Sequence, residues 1–291
     1  MSRPVALIVN PAAGGGRAAS ILPAVESALE RLEIDFHTER TRSLEHAEDL
    51  ARAAVAAGEI AATLSGDGLV GRVAGVLADS EGILAILPGG RGNDLARVLG
   101  IPHDPPGACA VIADGRVREL DVGDVGGRSF IGIASCGFDS EANRIANETA
   151  LVGGRLVYAY GALRALAAWK PARFELELDG RPVAFTGYSV IVANSRAYGG
   201  GMYIAPDAEL DDGLFDVVLI GAVPKRRFLL NLPKVFKGSH VRSPTVQVQR
   251  AREVRVSADR AFAVYADGDP IGEIPLLIRA RRRVLQVCVP G

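Results

Sequence analysis

Short apolar runs alternate with helix-like stretches through the first hundred residues. Val5 to Val9, Ile34 to Thr38, Ile60 to Leu64 and Ile83 to Leu87 are short and rich in aliphatic residues, the pattern of buried strands. Apolar positions recur with helical spacing over Ala18 to Leu32, Ser43 to Ala57 and Val70 to Ala78, and Leu95 starts a further helix running to Leu99. Ser43 stands where an N-cap belongs. Four strand–helix alternations predict a parallel sheet with helices on both faces. Three of the strands run into glycine-rich loops: Asn10 to Arg17, Ser65 to Gly68 and Pro88 to Asp94. In such sheets ligands bind at the carboxyl ends of the strands, so the three loops share one side.

The pattern changes after about Leu120. Strand-like runs then dominate: Ser129 to Ala134, Phe174 to Leu178, Tyr188 to Ala193, Asp216 to Ile220, Thr245 to Gln249 and Phe262 to Tyr265. The turn signals Asp179-Gly180, Asp212-Gly213 and Asp267-Gly268 separate several of them, and one helix near Leu156 to Trp169 interrupts them. The reading is α/β in class: residues 1–121 form a parallel-sheet domain and 122–283 a mainly antiparallel second domain. The last run, Val284 to Val289, fits either domain, so residues 284–291 either stay with the second or return to the first.

Composition narrows the function classes. Apolar residues make up 48% of the 291, enough for a substantial core, and the net charge is −1, which argues against a general nucleic-acid binder. Cys109, Cys136 and Cys288 are odd in number and widely spaced, which suits reduced thiols in a cytosolic protein better than a disulfide or zinc framework. His37, His46, His103 and His240 show no metal-ligand spacing. The Met1-Ser2-Arg3-Pro4 start is not read as a signal peptide, and no stretch approaches the ~20 apolar residues of a membrane helix. A soluble chain that touches a membrane surface is the expectation, and a homodimer is the base-rate oligomer.

Glycines let backbone N–H groups approach a phosphate, and Asn10 to Gly14 suits that use. Asp67, between Gly66 and Gly68, reads locally in two ways. It is either a carboxylate holding Mg²⁺ beside phosphates or the cap of the helix that follows. Asp94, beside Asn93, and Asp121 follow the next two apolar stretches. Three carboxylates near one cleft are costly without a cation.

The motifs as a set resemble the diacylglycerol kinase catalytic-domain family, which includes soluble bacterial lipid kinases and is related to sphingosine and ceramide kinases. The resemblance rests on Asn10-Pro11-x-x-Gly14, Ser65-Gly66-Asp67-Gly68, Pro88-Gly89-Gly90-Arg91-Gly92-Asn93-Asp94-Leu95-Ala96-Arg97 and Gly137-Phe138-Asp139. It continues through Ala205-Pro206-x-Ala208-x-x-Asp211-Asp212-Gly213-Leu214-x-Asp216 and Asp267-Gly268-Asp269-Pro270, in order along nearly the whole chain. It implies a nucleotide-binding α/β domain, a β-sandwich lipid-substrate domain and an active site between them. ATP is then held by Asn10, Pro11, Ala12, Ala13, Gly14, Thr41, Gly66, Asp67, Gly68, Leu69, Arg72, Arg91 and Asn93. Asp67, Asp94 and Asp121 form an aspartate–water–Mg²⁺ network. A second, structural Mg²⁺ takes the Asp212 carboxylate and the carbonyls of Glu209 and Leu214. The family's proton acceptor lands on Asp269, where glutamate is usual; without the resemblance, Asp269 is a solvated turn residue.

The chain departs from its apparent relatives just after the turn. Ser65 to Leu69 is similar to sphingosine kinases, but Gly71 and Arg72 replace an amide and an acid, and Arg91 replaces a small hydroxyl residue. Arginine binds phosphate bidentately, so Arg72 or Arg91 is a candidate to restore lost phosphate contacts. Lys225, Arg226, Arg227, Lys234 and Lys237 interleave with Phe228, Leu229, Leu230, Leu232 and Phe236. That segment suits either an anionic membrane surface or an amphipathic helix packed on its own domain. The expectation is an ATP- and Mg²⁺-dependent lipid kinase in the cytoplasm, in peripheral contact with the inner membrane face. An NAD-kinase-like phosphotransferase is the second reading, opposed by the missing Asn-Glu pair that holds adenosine in such enzymes. A non-catalytic nucleotide- or lipid-binding relative is the third.

Overall fold

The computed structural model describes residues 3–148 and 156–291; Met1 and Ser2 lie outside the described residues. The chain divides into two compact units, Met1–Val122 with Arg281–Gly291, and Gly123–Ala280.

In the first unit, β1 (Val5–Val9), β2 (Phe36–Arg40), β3 (Ile60–Ser65) and β4 (Ile83–Pro88) are parallel, in the order β2-β1-β3-β4. β1, β3 and β4 are buried at every residue, as interior strands covered on both faces must be. Each fully buried leucine, such as Leu7, Leu64 or Leu84, contributes about 1.5–3 kcal/mol. β2 starts later than its apolar run, because Glu33 takes a positive φ and Ile34 still donates to the Leu29 carbonyl.

The helices follow local chemistry. α1 (Ala13–Arg31) is irregular where Gly14, Gly15 and Gly16 take positive φ, so its regular turns begin at Arg17. α2 (Leu44–Ala57) is capped by Ser43, whose hydroxyl accepts the His46 N–H, and ends at the left-handed Gly58. Its buried Ala47, Ala51 and Ala54 form one stripe. α3 (Asp67–Leu77) and α4 (Asp94–Val98) start directly from their strand-end loops. α5 (Pro105–Asp114), absent from the sequence reading, opens with two prolines behind the N-cap Asp104.

The chain leaves this unit along β5 (Val117–Val125). The second unit holds β6 (Arg128–Phe130), β7 (Ile133–Gly137), α6 (Phe138–Glu148), α7 (Leu156–Ala168), β8 (Ala172–Leu178) and β9 (Arg181–Ala193). It continues with β10 (Phe215–Gly221), α8 (Lys225–Val235), β11 (Val246–Ala251), β12 (Glu253–Ala258), β13 (Ala263–Ala266), β14 (Asp269–Glu273) and the start of β15 (Leu276–Cys288). The pairings among β7 to β14 are all antiparallel. The first half of β9 pairs with β8 through the Asp179-Gly180 turn, where both residues take positive φ; its second half lies between β7 and β10. A core including Phe130, Phe174, Phe215 and Val254 fills the unit.

The run Ser129 to Ala134, read as one strand, is two. The N–H groups of Ile131, Gly132 and Ile133 all turn to the Asp267 carboxylate, which breaks the ladder between β6 and β7. The last strand is longer than its Val284 to Val289 run. Leu276 to Arg279 pair with β12, whereas Gln286 and Val287 pair with β4, and Arg283 takes a positive φ between them.

Candidate active site

Three strand-end loops of the first unit meet backbone to backbone. Gly89 donates to the Ser65 carbonyl at 2.8 Å, and a Cβ on Gly90 would stand 2.3 Å from the Gly66 Cα. A Cβ on Gly14 would stand 2.6 Å from the Gly89 oxygen. Only glycine permits these approaches at Gly14 and Gly90, which are packing requirements as well as openings for a ligand; a Cβ on Gly66 would stand 3.2 Å from the Gly90 Cα. Asn10 closes the first loop by accepting the Ala12 N–H at 3.1 Å, with Pro11 between them and Ala13 returning its N–H to the Asn10 carbonyl. Thr41 donates its N–H to the Val9 carbonyl, which sets it at the same strand ends. The exposed Arg91 reaches back over this loop: its guanidinium lies 3.6 Å from where a Gly15 Cβ would be.

Asp67 is not the N-cap of the helix it begins; Gly66 holds that position. Its Oδ1 instead accepts the N–H of Asp94 at 2.7 Å and of Leu95 at 3.3 Å, so it caps α4 across the loops. Asn93 makes this possible. It takes a left-handed φ, its Oδ1 accepts the Gly90 N–H, and its Nδ2 returns a bond to the Gly90 carbonyl. Burial and the neighbouring Asp94 charge push the Asp67 carboxyl above the usual range, although the backbone donors pull the other way. Gly68 and Leu69 lie in the first turn of α3, where N–H groups face outward, and the Leu69 side chain itself is buried in the core.

A half-buried carboxylate, Asp67, and a buried one, Asp94, with a shared field suit a cation. Mg²⁺ takes one or two carboxylates and completes its shell with water and phosphate oxygens, so the Asp67–Asp94 pair fits it. Asp121, fully buried on β5, accepts the Arg283 N–H at 2.8 Å. Among the described residues no three acid, histidine or cysteine side chains form a closed metal cage. Arg72 is taken up by α2, with Nε 2.9 Å from Glu48 and a longer approach to Glu45. Of the two candidate arginines, Arg91 is therefore the one held over the glycine loop.

In the second unit, Asp269 begins β14 and is exposed. The turn before it is built by Asp267, which takes a positive φ while binding three N–H groups, and by Gly268. Arg128 donates to the carbonyls of Pro270 and Ile271 just beyond. At the other expected metal position, Asp212 accepts the Leu214 N–H at 2.9 Å with one oxygen and pairs with Arg250 through the other. The Glu209 carboxylate pairs with Arg196. The carboxylate that the resemblance assigns to a structural Mg²⁺ is thus shared here between a backbone N–H and a guanidinium.

The sequence reading missed a cavity in the second unit. It measures about 200 Å³ and is mostly apolar, with Phe138, Met202, Ile204, Phe228, Leu232 and Val235 among its lining. Asp139, which also lines it, accepts the Tyr198 hydroxyl at 2.6 Å, and burial raises its carboxyl above the usual range. Its local signals were Gly137-Phe138-Asp139 and the apolar Phe228, Leu232 and Phe236 of the basic segment; the other lining residues are scattered between Phe138 and Val246.

Comparison with known proteins accounts for both units. The diacylglycerol kinase catalytic domain profile matches residues 4–125, and the YegS C-terminal NAD kinase beta sandwich-like domain profile matches residues 132–289. A diacylglycerol kinase of Mycobacterium tuberculosis (strain ATCC 25618 / H37Rv) is 34% identical over 294 residues, covering 98% of this chain and 95% of that protein. A diacylglycerol kinase of Bacillus subtilis (strain 168) is 27% identical, covering 92% and 90%. A crystal structure from Bacillus anthracis str. Sterne superposes with a TM-score of 0.84 at 24% identity, covering 99% of this chain and 98% of that one; at this identity the likeness concerns the fold.

Proposed function

This chain belongs to the diacylglycerol kinase catalytic-domain family, and from that premise we propose that it is an ATP-dependent kinase for a hydroxyl of diacylglycerol, a sphingoid base or a related lipid. Family membership supports phosphotransfer to a lipid alcohol. The observation that carries the nucleotide half is the Asp67 carboxylate bridging two glycine loops, with Asp94 beside it.

In this reading the loops from Asn10 to Gly14, Gly66 to Leu69 and Gly90 to Asn93 close around the phosphates, the first turn of α3 offers them backbone N–H groups, and Arg91 adds a charged donor. Asp67 and Asp94, with Asp121 in the wider network, hold the Mg²⁺, which when bound neutralises charge on the phosphoryl oxygens. The Asp269 carboxylate takes the proton of the lipid hydroxyl. Its turn, fixed by Asp267 and followed by Pro270, orients it before substrate arrives. The cavity lined by Phe138 and Asp139 takes apolar lipid, with few polar groups to orient it. Three buried free thiols suit a reducing cytoplasm, and a kinase for a bilayer lipid works in peripheral contact with the inner membrane face.

The test is label transfer from radiolabelled ATP, with Mg²⁺, to a panel of diacylglycerol, monoacylglycerol, sphingoid bases, ceramide and NAD. Wild type is expected to label a lipid and Asp67→Ala none. Label in NAD alone would establish the NAD-kinase reading, and label in nothing would leave a binding protein.

A further inference from the structure

One helix of the second unit faces two ways. Phe228, Asn231, Leu232 and Val235 follow the i, i+3, i+4, i+7 spacing of one face of α8, and all four line the cavity. The rest of the helix is exposed, and it is not the polar surface that a solvated helix presents. Leu230 is 76% exposed, and Leu229 and, just past the helix, Phe236 are also open. Phe236 belongs to both faces, since it lines the cavity and is 46% exposed, so it stands at the cavity mouth.

Charge separates this region from the remainder of the chain. Residues 217–252 contain eight lysines and arginines and no aspartate or glutamate, although the whole protein carries a net charge of −1. Arg226, Arg227, Lys234 and Lys237 are exposed beside the leucines. Lys225 is spent locally, donating to the Ala167 carbonyl at the end of α7. Cations flanking a short apolar ridge match an anionic bilayer: the ridge enters the acyl boundary while the cations meet the headgroups. An acidic protein surface would answer the charges but would leave Leu230 without a membrane-like environment.

We propose that α8 is the membrane-docking element and the doorway of the cavity, inserting Leu229, Leu230 and Phe236 into an anionic leaflet so that a lipid passes by Phe236 without crossing water. What enters the cavity rests on the lipid-kinase reading; the docking does not.

The experiment uses the full chain with phosphatidylcholine vesicles, with and without phosphatidylglycerol. Three proteins are compared: wild type, Leu229→Asp/Leu230→Asp and Arg226→Glu/Arg227→Glu. All substituted positions are exposed and outside the cavity lining, and circular dichroism checks the fold. Wild type is expected to co-sediment with the anionic vesicles in a salt-sensitive way, and both variants to bind about tenfold or more weakly. Phosphorylation of lipid in vesicles falls with binding, while phosphorylation of the same lipid in detergent micelles stays within about twofold. Wild-type levels of vesicle binding by both variants, or no binding by wild type, overturn the docking. An equal loss of activity in vesicles and micelles makes the helix part of the substrate site and also overturns it. If wild type phosphorylates no lipid in either form, the kinase reading fails while the sedimentation still decides the docking.

Discussion

The Asp67 carboxylate accepts the Asp94 N–H at 2.7 Å, so one side chain joins the loop after β3 to the helix after β4. The bond is charge-assisted and partly buried, a class worth about 1.5–3 kcal/mol. Asp67→Asn keeps an acceptor but removes the charge. It is expected to fold with a small loss of melting temperature and to lose most Mg²⁺-dependent ATP binding. Asp67→Ala loses both. Thermal melts with and without Mg²⁺-ATP read the two effects apart; equal ATP-induced shifts in wild type and Asp67→Asn would remove the cation role.

Gly90→Ala probes the nest of backbones directly. Its Cβ would meet the Gly66 Cα at 2.3 Å, with no flexible side chain to move aside. Overpacking of this kind costs about 1–3 kcal/mol and spreads the loops. Nucleotide affinity is expected to fall about tenfold or more, a change that one misplaced phosphate contact can produce. Isothermal titration with an ATP analogue measures it.

The two arginines should separate. Arg91 lies over Gly15, whereas Arg72 is paired with Glu48. Arg91→Ala is expected to weaken ATP binding several-fold with little change in stability. Arg72→Ala should leave ATP binding near wild type and cost about 0.2–1 kcal/mol, the range for a half-exposed pair. The reverse pattern in titration would reassign the phosphate contact.

Asp269→Ala should abolish lipid phosphorylation while preserving ATP binding, because the residue is exposed and contributes little to the fold. Asp267→Ala is different. It strips an acceptor from the N–H groups of Ile131, Gly132 and Ile133, and a loss of about 2–4 kcal/mol in urea unfolding is expected.

Asp139 gives a pH signature. Burial raises its carboxyl, so the native state holds that proton more tightly than the unfolded chain, whose Asp titrates near ~3.9. The resulting stability is present below that pH and is lost as pH rises through the raised native value. Asp139→Asn keeps an acceptor for Tyr198 and removes this titration. Its stability relative to wild type should therefore rise from acid to neutral pH, and parallel urea-melt curves across that range would contradict the assignment.

Much of this was legible in sequence because the signals were local. β1, β3 and β4 are continuous apolar runs, and Ser43, Asp179-Gly180 and Asp267-Gly268 act on their immediate neighbours. What escaped was set by distant partners. Asp67 read locally as either a Mg²⁺ carboxylate or a cap for the helix it begins, and its capping of α4 depends on a residue 27 positions away. The break between β6 and β7 comes from an aspartate more than 130 residues downstream. β12 and β14 are short strands whose pairing rather than composition defines them, and α5 was hidden behind two prolines. The cavity escaped because its lining is gathered from α6, β9, β10 and α8, which lie far apart in sequence.

The divided strand β15 has a consequence for how the protein is made. Gln286 is the residue that pairs with Ile83 on β4, and residues 281–291 belong to the first unit. The β4 edge is therefore bare until synthesis has passed Gln286, long after Ile83 has been made. Unpaired edges of that kind recruit other strands, and such long-range pairing closes slowly. The nascent chain exposes that edge until Gln286 and Val287 arrive, and a chain without them would leave β4 lacking this partner strand.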